Sequence, residues 1–322
     1  MNNQLGSEIT CSYSELLSPD SPTKQPQAAN PYKDIKVIKK ISDSSFSLFL
    51  VFSETLKKHF VMKAYPYDGE NISRHFLRES RFLNFSHPNV ISILHCQARK
   101  KGCCDGKPIL MSYILMELAP YGDFCKLLMS KKLKKEEKFA RTYFHQLISA
   151  IEYIHSKGVA HTDLKLDNLL VGSEFQLILC DFDSCYFEDD ENFSGAGSAD
   201  YRAPEVKKKC CKDPKAADIY SAGVILFALT CHSFPYSEDL SVSGFDLYDA
   251  LRNDTEKYWE TLGLIHDNFY VSEEFKELFL GMLKADPAER WKIPDIKNSR
   301  WYQGPVYSKE ELAKIMKKRL GL

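Results

Sequence analysis

The stretch HTDLKLDNLL (161–170) sets a carboxylate, an ammonium and an amide at close, fixed spacing: Asp163, Lys165 and Asn168. A carboxylate can accept the proton of an attacking hydroxyl. An ammonium can offset the charge of a transferring phosphoryl group, and an amide oxygen can hold a metal that bridges phosphates. Behind the apolar run FQLILC comes Asp181, a second oxygen ligand for a hard cation. Together these groups make up the equipment of metal-assisted phosphoryl transfer.

Such groups need elements to position them. The segments IKVIKKI (35–41), FSLFLVF (46–52) and KHFVMKAY (58–65) are rich in β-branched and aromatic residues with rough alternation, which predicts strands. NISRHFLRESRFLNF (71–85) has apolar residues at helical spacing, and SHPNV breaks it. ISILHCQAR and ILMSYILMEL read again as strands. Beyond APYGD the pattern turns helical. RTYFHQLISAIEYIHSKG (141–158) puts Phe144, Leu147, Ile148, Ile151 and Ile154 on one face, with Gly158 as its stop. DIYSAGVILFALT (218–230) is apolar nearly all round and predicts a buried helix; SEEFKELFLGML (272–283) predicts an amphipathic one. A small sheet-rich part therefore precedes a larger helical part.

The motifs, in this order, resemble those of eukaryotic protein kinases. HTDLKLDN and Asp181 in DFD are similar to the family's H-R-D-L-K-x-x-N and D-F-G elements. Lys63 in FVMK matches the strand lysine that pairs with the α/β-phosphates, and Glu79 in FLRESRFL matches the helix glutamate that positions it. YRAPE (201–205) matches A-P-E, Asp218 matches the aspartate of D-x-W-S-x-G, and Arg290 in DPAERW matches the arginine that pairs with the A-P-E glutamate. The DLKLDN form looks like the serine/threonine type. GSADYRAPE and WYQGPVYSKEEL are most similar to the calcium/calmodulin- and AMP-dependent group.

The resemblance implies an α+β, bilobal protein kinase fold: a small antiparallel-sheet lobe plus one helix (32–117), a hinge (118–122) and a large, mainly helical lobe (123–303). A disordered extension (1–31) would precede it and an amphipathic helical tail (304–322) would follow. The implied reaction passes the γ-phosphoryl group of ATP, with Mg2+, to Ser or Thr of protein substrates. Asp163, Lys165 and Asn168 would be catalytic, with Asn168 and Asp181 on the metal. The nucleotide would meet Lys63, Glu79, Ser42, Ser44, Ser47, Phe49, Val61 and Leu170, with adenine on the backbone of Glu117 and Ala119. Asp123 and Asp167 stand where basophilic members of the group carry two acids for an arginine three residues before the acceptor.

Three departures from the pattern bear on activity. Ser42, Ser44 and Ser47 stand where the phosphate loop carries glycine; they keep the backbone N–H but lose easy access to positive φ. Phe46 keeps the loop's aromatic tip, and Phe49 replaces the valine expected over adenine. Asp183 replaces the D-F-G glycine. Thr162 replaces the arginine that clamps an activation-segment phosphate, leaving Ser194 as the acceptor there with a small expected effect. The six groups that do the chemistry are all present, which favours an active kinase. The alternative is a weak or inactive pseudokinase acting as a nucleotide-binding scaffold.

Other features have plainer readings. A net charge of −1 over 322 residues gives no reason to expect a nucleic acid partner. No apolar run approaches the ~18 residues of a membrane span. The ten cysteines lack metal-site spacing and read as reduced thiols of a cytoplasmic or nuclear monomer, with Cys180 a small buried hydrophobe. His161 reads as packed rather than as a base, and EDDENF (188–193) as a solvated acidic stretch. In the tail, Leu312, Ile315, Met316 and Leu320 share a face opposite a basic one. Packing on the large lobe is the default, and a calmodulin-like or other regulatory partner is the sharper reading.

Overall fold

A computed structural model of the chain describes residues 31–43, 46–67, 71–104, 107–130, 133, 135–191, 193, 197–236, 246–265 and 269–322. Ser44, Ser194 and all of the expected N-terminal extension except Pro31 lie outside the described residues. The chain divides into two compact units. One runs up to Phe85 and resumes over Ser92–Leu118; the other holds Ser86–Ile91 and Ala119–Leu322.

In the first unit, β1 (Ile35–Asp43), β2 (Ser47–Ser53), β3 (Lys58–Pro66), β4 (Ile93–Cys104) and β5 (Lys107–Glu117) form an antiparallel sheet in the order β1-β2-β3-β5-β4. Residues directly opposite across a ladder share a face. The register Phe49↔Met62 and Val51↔Phe60 therefore puts these four on one side, where they join Ile35, Ala64, Met111, Tyr113 and Leu115 in the core. The register Leu48↔Lys63 and Leu50↔Val61 puts that second set on the opposite side. The helix α1 (Arg74–Ser80) buries Phe76 and Glu79, three residues apart on one face.

The second unit is mainly helical. Its elements are α2 (Phe124–Met129), α3 (Glu137–Ser156), the short strands β6 (Val159–Ala160), β7 (Leu169–Val171), β8 (Leu177–Leu179) and β9 (Tyr186–Phe187), then α4 (Pro204–Lys207), α5 (Pro214–Cys231), α6 (Leu247–Asn253), α7 (Thr255–Ile265), α8 (Glu273–Met282), α9 (Ile293–Asn298) and α10 (Lys309–Leu320). The apolar stripe of α3 is buried from Phe139 to Ile154, and Gly158, at φ +74°, takes the left-handed turn that ends it. In α5 every residue from Ala222 to Leu229 is essentially inaccessible, as a helix apolar on all sides requires. Segment 86–91, read from sequence as part of the small lobe, belongs to this unit. Ile91 N–H donates to Leu179 O (2.9 Å), and Leu179 N–H donates to Asn89 O (2.9 Å), so the segment is laddered to β8.

Two features tie the later elements together. Arg290, 3% exposed, donates through both Nη atoms to Glu205 (2.7 and 3.0 Å) and to Ala216 O (2.8 Å). The tail buries Leu312 and Met316. Its Arg319 donates to Glu136 (2.8 Å) while covering the ring of Phe139 at 4.7 Å. No helix among the described residues is long and apolar enough to cross a membrane.

Candidate active site

The loop carrying Asp163, Lys165 and Asn168 runs from β6 to β7, and Asp181 follows β8. Each loop end is pinned by a small ladder, β6 with β9 and β7 with β8. Beneath the loop lies Asp218, 1% exposed. It accepts from the N–H of His161 (2.7 Å) and Thr162 (2.8 Å) and faces His155 Nε2 at 2.9 Å. Such a carboxylate offsets its own burial by its donors and fixes the backbone above it. Thr162 is held there at φ +63°, an uncommon conformation for a β-branched residue, and its hydroxyl donates to Ser184 O (2.8 Å). His161 is fully buried. Its Nδ1 accepts from Asp163 N–H (3.3 Å), so Nε2 carries the proton toward Cys180 O (3.1 Å). It is a packed, bonded histidine with no capacity left for proton abstraction.

Asp163 is held from two sides. Oδ2 accepts from Lys165 Nζ at 2.6 Å, and Oδ1 accepts from the N–H (2.8 Å) and hydroxyl (3.1 Å) of Ser198. Asn168 Nδ2 donates to Asp163 O (2.9 Å), which commits the nitrogen, so the amide oxygen is the atom that could hold a cation. Asp181 sits at φ +68°, and its carboxylate lies within 4.8 Å of that of Asp183. Two carboxylates at that range could hold a divalent cation. Cys180 is half-buried with its thiol against Asn168 O (3.4 Å).

In the first unit Lys63 Nζ donates to Glu79 Oε2 at 2.8 Å, with the two residues 6% and 0% exposed. Val61 is half-buried on the face that carries Lys63. Phe49 is not on that face. Its register with Met62 turns it into the opposite core, where it is 6% exposed, and Leu48 and Leu50 occupy the face expected of it. The reason is strand parity: a one-residue offset in the ladder reverses the side a side chain faces. Ser42 pairs with Leu48 in the β1–β2 ladder, Ser47 opens β2 opposite Asp43, which closes the ladder, and Ser44 lies outside the described residues. Glu117 ends β5, its N–H donating to Ser92 O (3.1 Å) and its carboxylate accepting from Ser92 N–H (3.0 Å).

In the second unit Ala119 is buried and its carbonyl accepts from Gly122 N–H (3.1 Å), while Leu170 is half-buried in β7 and bridged to Asp123. Asp123 N-caps α2, accepting from Lys126 N–H (3.1 Å), and Asp167 is exposed. Burial pushes the Cys125 thiol up, and the charges of Asp167 and Asp123 push it further.

Two polar partners escaped the sequence reading. Ser198 lies 35 positions from Asp163, and no periodicity joins them. Tyr65, whose hydroxyl donates to the Glu79 oxygen that holds Lys63, was within reach of strand parity, being two residues beyond Lys63 on one strand face.

A family profile described as "Protein kinase domain" matches residues 37–302. CBL-interacting protein kinase 11 of Oryza sativa subsp. japonica is 34% identical over 229 residues, 68% of this chain and 40% of that protein. Testis-specific serine/threonine-protein kinase 1 of Mus musculus is 35% identical over 202 residues, 59% of this chain and 51% of that protein. Serine/threonine-protein kinase SRK2E of Arabidopsis thaliana is 28% identical over 276 residues, 83% of this chain and 71% of that protein. The chain spans about half or less of the length of the first relatives it matches.

Proposed function

Since the chain belongs to the protein kinase domain family, we propose that it is a protein serine/threonine kinase, transferring the γ-phosphoryl group of ATP to a hydroxyl of a protein substrate. The observation that carries this reading is Asp163, held by Lys165 on one oxygen and by Ser198 on the other. A carboxylate fixed in this way orients an incoming hydroxyl and takes its proton. Lys165, 2.6 Å away, would offset the charge of the phosphoryl group during transfer. Asn168 and Asp181, with Asp183 beside the latter, would hold Mg2+, which would supply positive charge to offset that of the phosphates. In the small unit Lys63, fixed by Glu79, would take the α/β-phosphates, with Val61 among the apolar contacts of the base. Ser42 and Ser47 would offer backbone N–H groups to phosphate. Leu170 and the backbone of Glu117 and Ala119 would serve the adenine.

The test is transfer of label from ATP to a mixed peptide library, with Asp163→Asn as control. Transfer that vanishes in the control supports the reading. Tight, metal-independent nucleotide binding without transfer supports the scaffold reading instead.

We further propose a substrate preference from Asp123 and Asp167. A guanidinium is a planar fork that can engage Asp123 and Asp167 together, which favours arginine three residues before the acceptor. Peptides differing only at that position are expected to rank Arg over Lys over Ala. The Arg advantage should shrink in Asp167→Ala and at high salt, where screening weakens exposed charge pairs. Asp123→Ala is the poorer probe, because Asp123 also caps α2. A flat ranking defeats the idea. A calmodulin-like partner at the tail would have to strip Leu312 and Met316 from their burial, so the tail is read as part of the large unit.

A further inference from the structure

Tyr65 stands two residues past Lys63 on β3, fully buried. Its hydroxyl donates to Glu79 Oε2, the oxygen that also accepts from Lys63 Nζ at 2.8 Å. Its ring lies 5.4 Å from Lys63 Nζ, 5.7 Å from the ring of Phe76 on α1, and 4.7 Å from the ring of Phe46 at the loop tip. Phe46 in turn lies 5.1 Å from His75 at the start of α1, and Lys63 Nζ lies 5.2 Å from the Phe46 centroid. One side chain therefore touches the lysine, the glutamate, the helix that carries the glutamate and the loop that precedes β2.

We infer that Tyr65 is a positioning residue for phosphoryl transfer: its hydroxyl fixes the Glu79 carboxylate, and through it Lys63, while its ring anchors α1 and the loop tip. A buried ion pair outweighs its desolvation only when further hydrogen bonds satisfy its atoms, and Glu79 is 0% exposed. The phenol supplies such a bond without adding charge. Phe46 rests on the Tyr65 ring, next to Ser47 where the family carries glycine.

The inference rests on the kinase reading, and the experiment separates the two. Tyr65→Phe keeps every ring contact and removes only the donor. It is expected to unfold at the wild-type temperature within a few degrees and to lose about tenfold in kcat/KM for ATP, the scale of one hydrogen bond to a charged group. In a Glu79→Gln background the charge-assisted part of that bond is gone, so the same substitution is expected to cost about threefold or less. A packing role would cost nothing in Tyr65→Phe, or equally in both backgrounds, and either result overturns the inference.

If the wild-type chain transfers no phosphate, the kinase reading fails and amide hydrogen exchange across α1 carries the test. Faster exchange in Tyr65→Phe, not increased further when Glu79→Gln is added, upholds the positioning role. Unchanged exchange overturns it.

Discussion

Asp181→Asn is expected to lower phosphoryl transfer by about 1,000-fold or more, roughly 4 kcal/mol of barrier, with little change in folding. The substitution removes the charge that would hold the metal yet keeps a short polar side chain, which suits the left-handed conformation at φ +68°. Asp181→Ala would mix the lost charge with backbone strain and is the weaker test. Lys63→Met is expected to abolish transfer as well, but not silently. Lys63 is 6% exposed and paired with fully buried Glu79, so methionine leaves a buried carboxylate without its cation. Breaking a buried pair costs about 3–5 kcal/mol when the remaining charge has no other partner. Here the Tyr65 hydroxyl still donates to Glu79, so the loss in unfolding free energy should fall below that range. Label transfer beside thermal unfolding reads both effects. Transfer surviving in Asp181→Asn would remove Asp181 from the metal set.

The order of motifs along the chain made the fold legible in the sequence. Asp163, Lys165 and Asn168 sit within six residues, and a short loop between two ladders leaves their side chains few ways to diverge. The helices were readable for the same local reason: α3 carries an unbroken apolar stripe, and α5 has no polar face. Phe49 was misjudged because motif counting fixes position along a strand but not parity, and parity is set by the β2–β3 hairpin register. Ser198 and Tyr65 were missed for different reasons. The contact of Ser198 with Asp163 is made by tertiary folding over 35 residues. The hydroxyl of Tyr65 was hidden by its type, since an aromatic in a strand reads first as core. Segment 86–91 was assigned by chain order, whereas backbone hydrogen bonds to β8 decide where it packs.

The largest expected loss of stability belongs to Arg290 and Glu205. Their two hydrogen bonds are parallel, the geometry in which a guanidinium and a carboxylate bind most strongly. Arg290 also closes Ala216 O at the first turn of α5 and Lys284 O beyond α8, so one side chain joins α4, α5 and the segment after α8. Arg290→Ala leaves Glu205, 7% exposed, with an uncompensated charge and uncaps two carbonyls. A loss of about 3–5 kcal/mol is expected, a fall of roughly 10 °C in Tm for a unit of this size. Glu205→Gln should cost less than Arg290→Ala, because the amide oxygen still accepts one of the two bonds and the carbonyl contacts of Arg290 remain. Replacing both members with apolar residues of similar volume should cost less than Arg290→Ala alone, since no stranded charge remains. Thermal and urea unfolding of the three variants gives the ranking. A volume-matched double replacement that loses as much as Arg290→Ala would mean that the stranded Glu205 charge is not what makes Arg290→Ala costly.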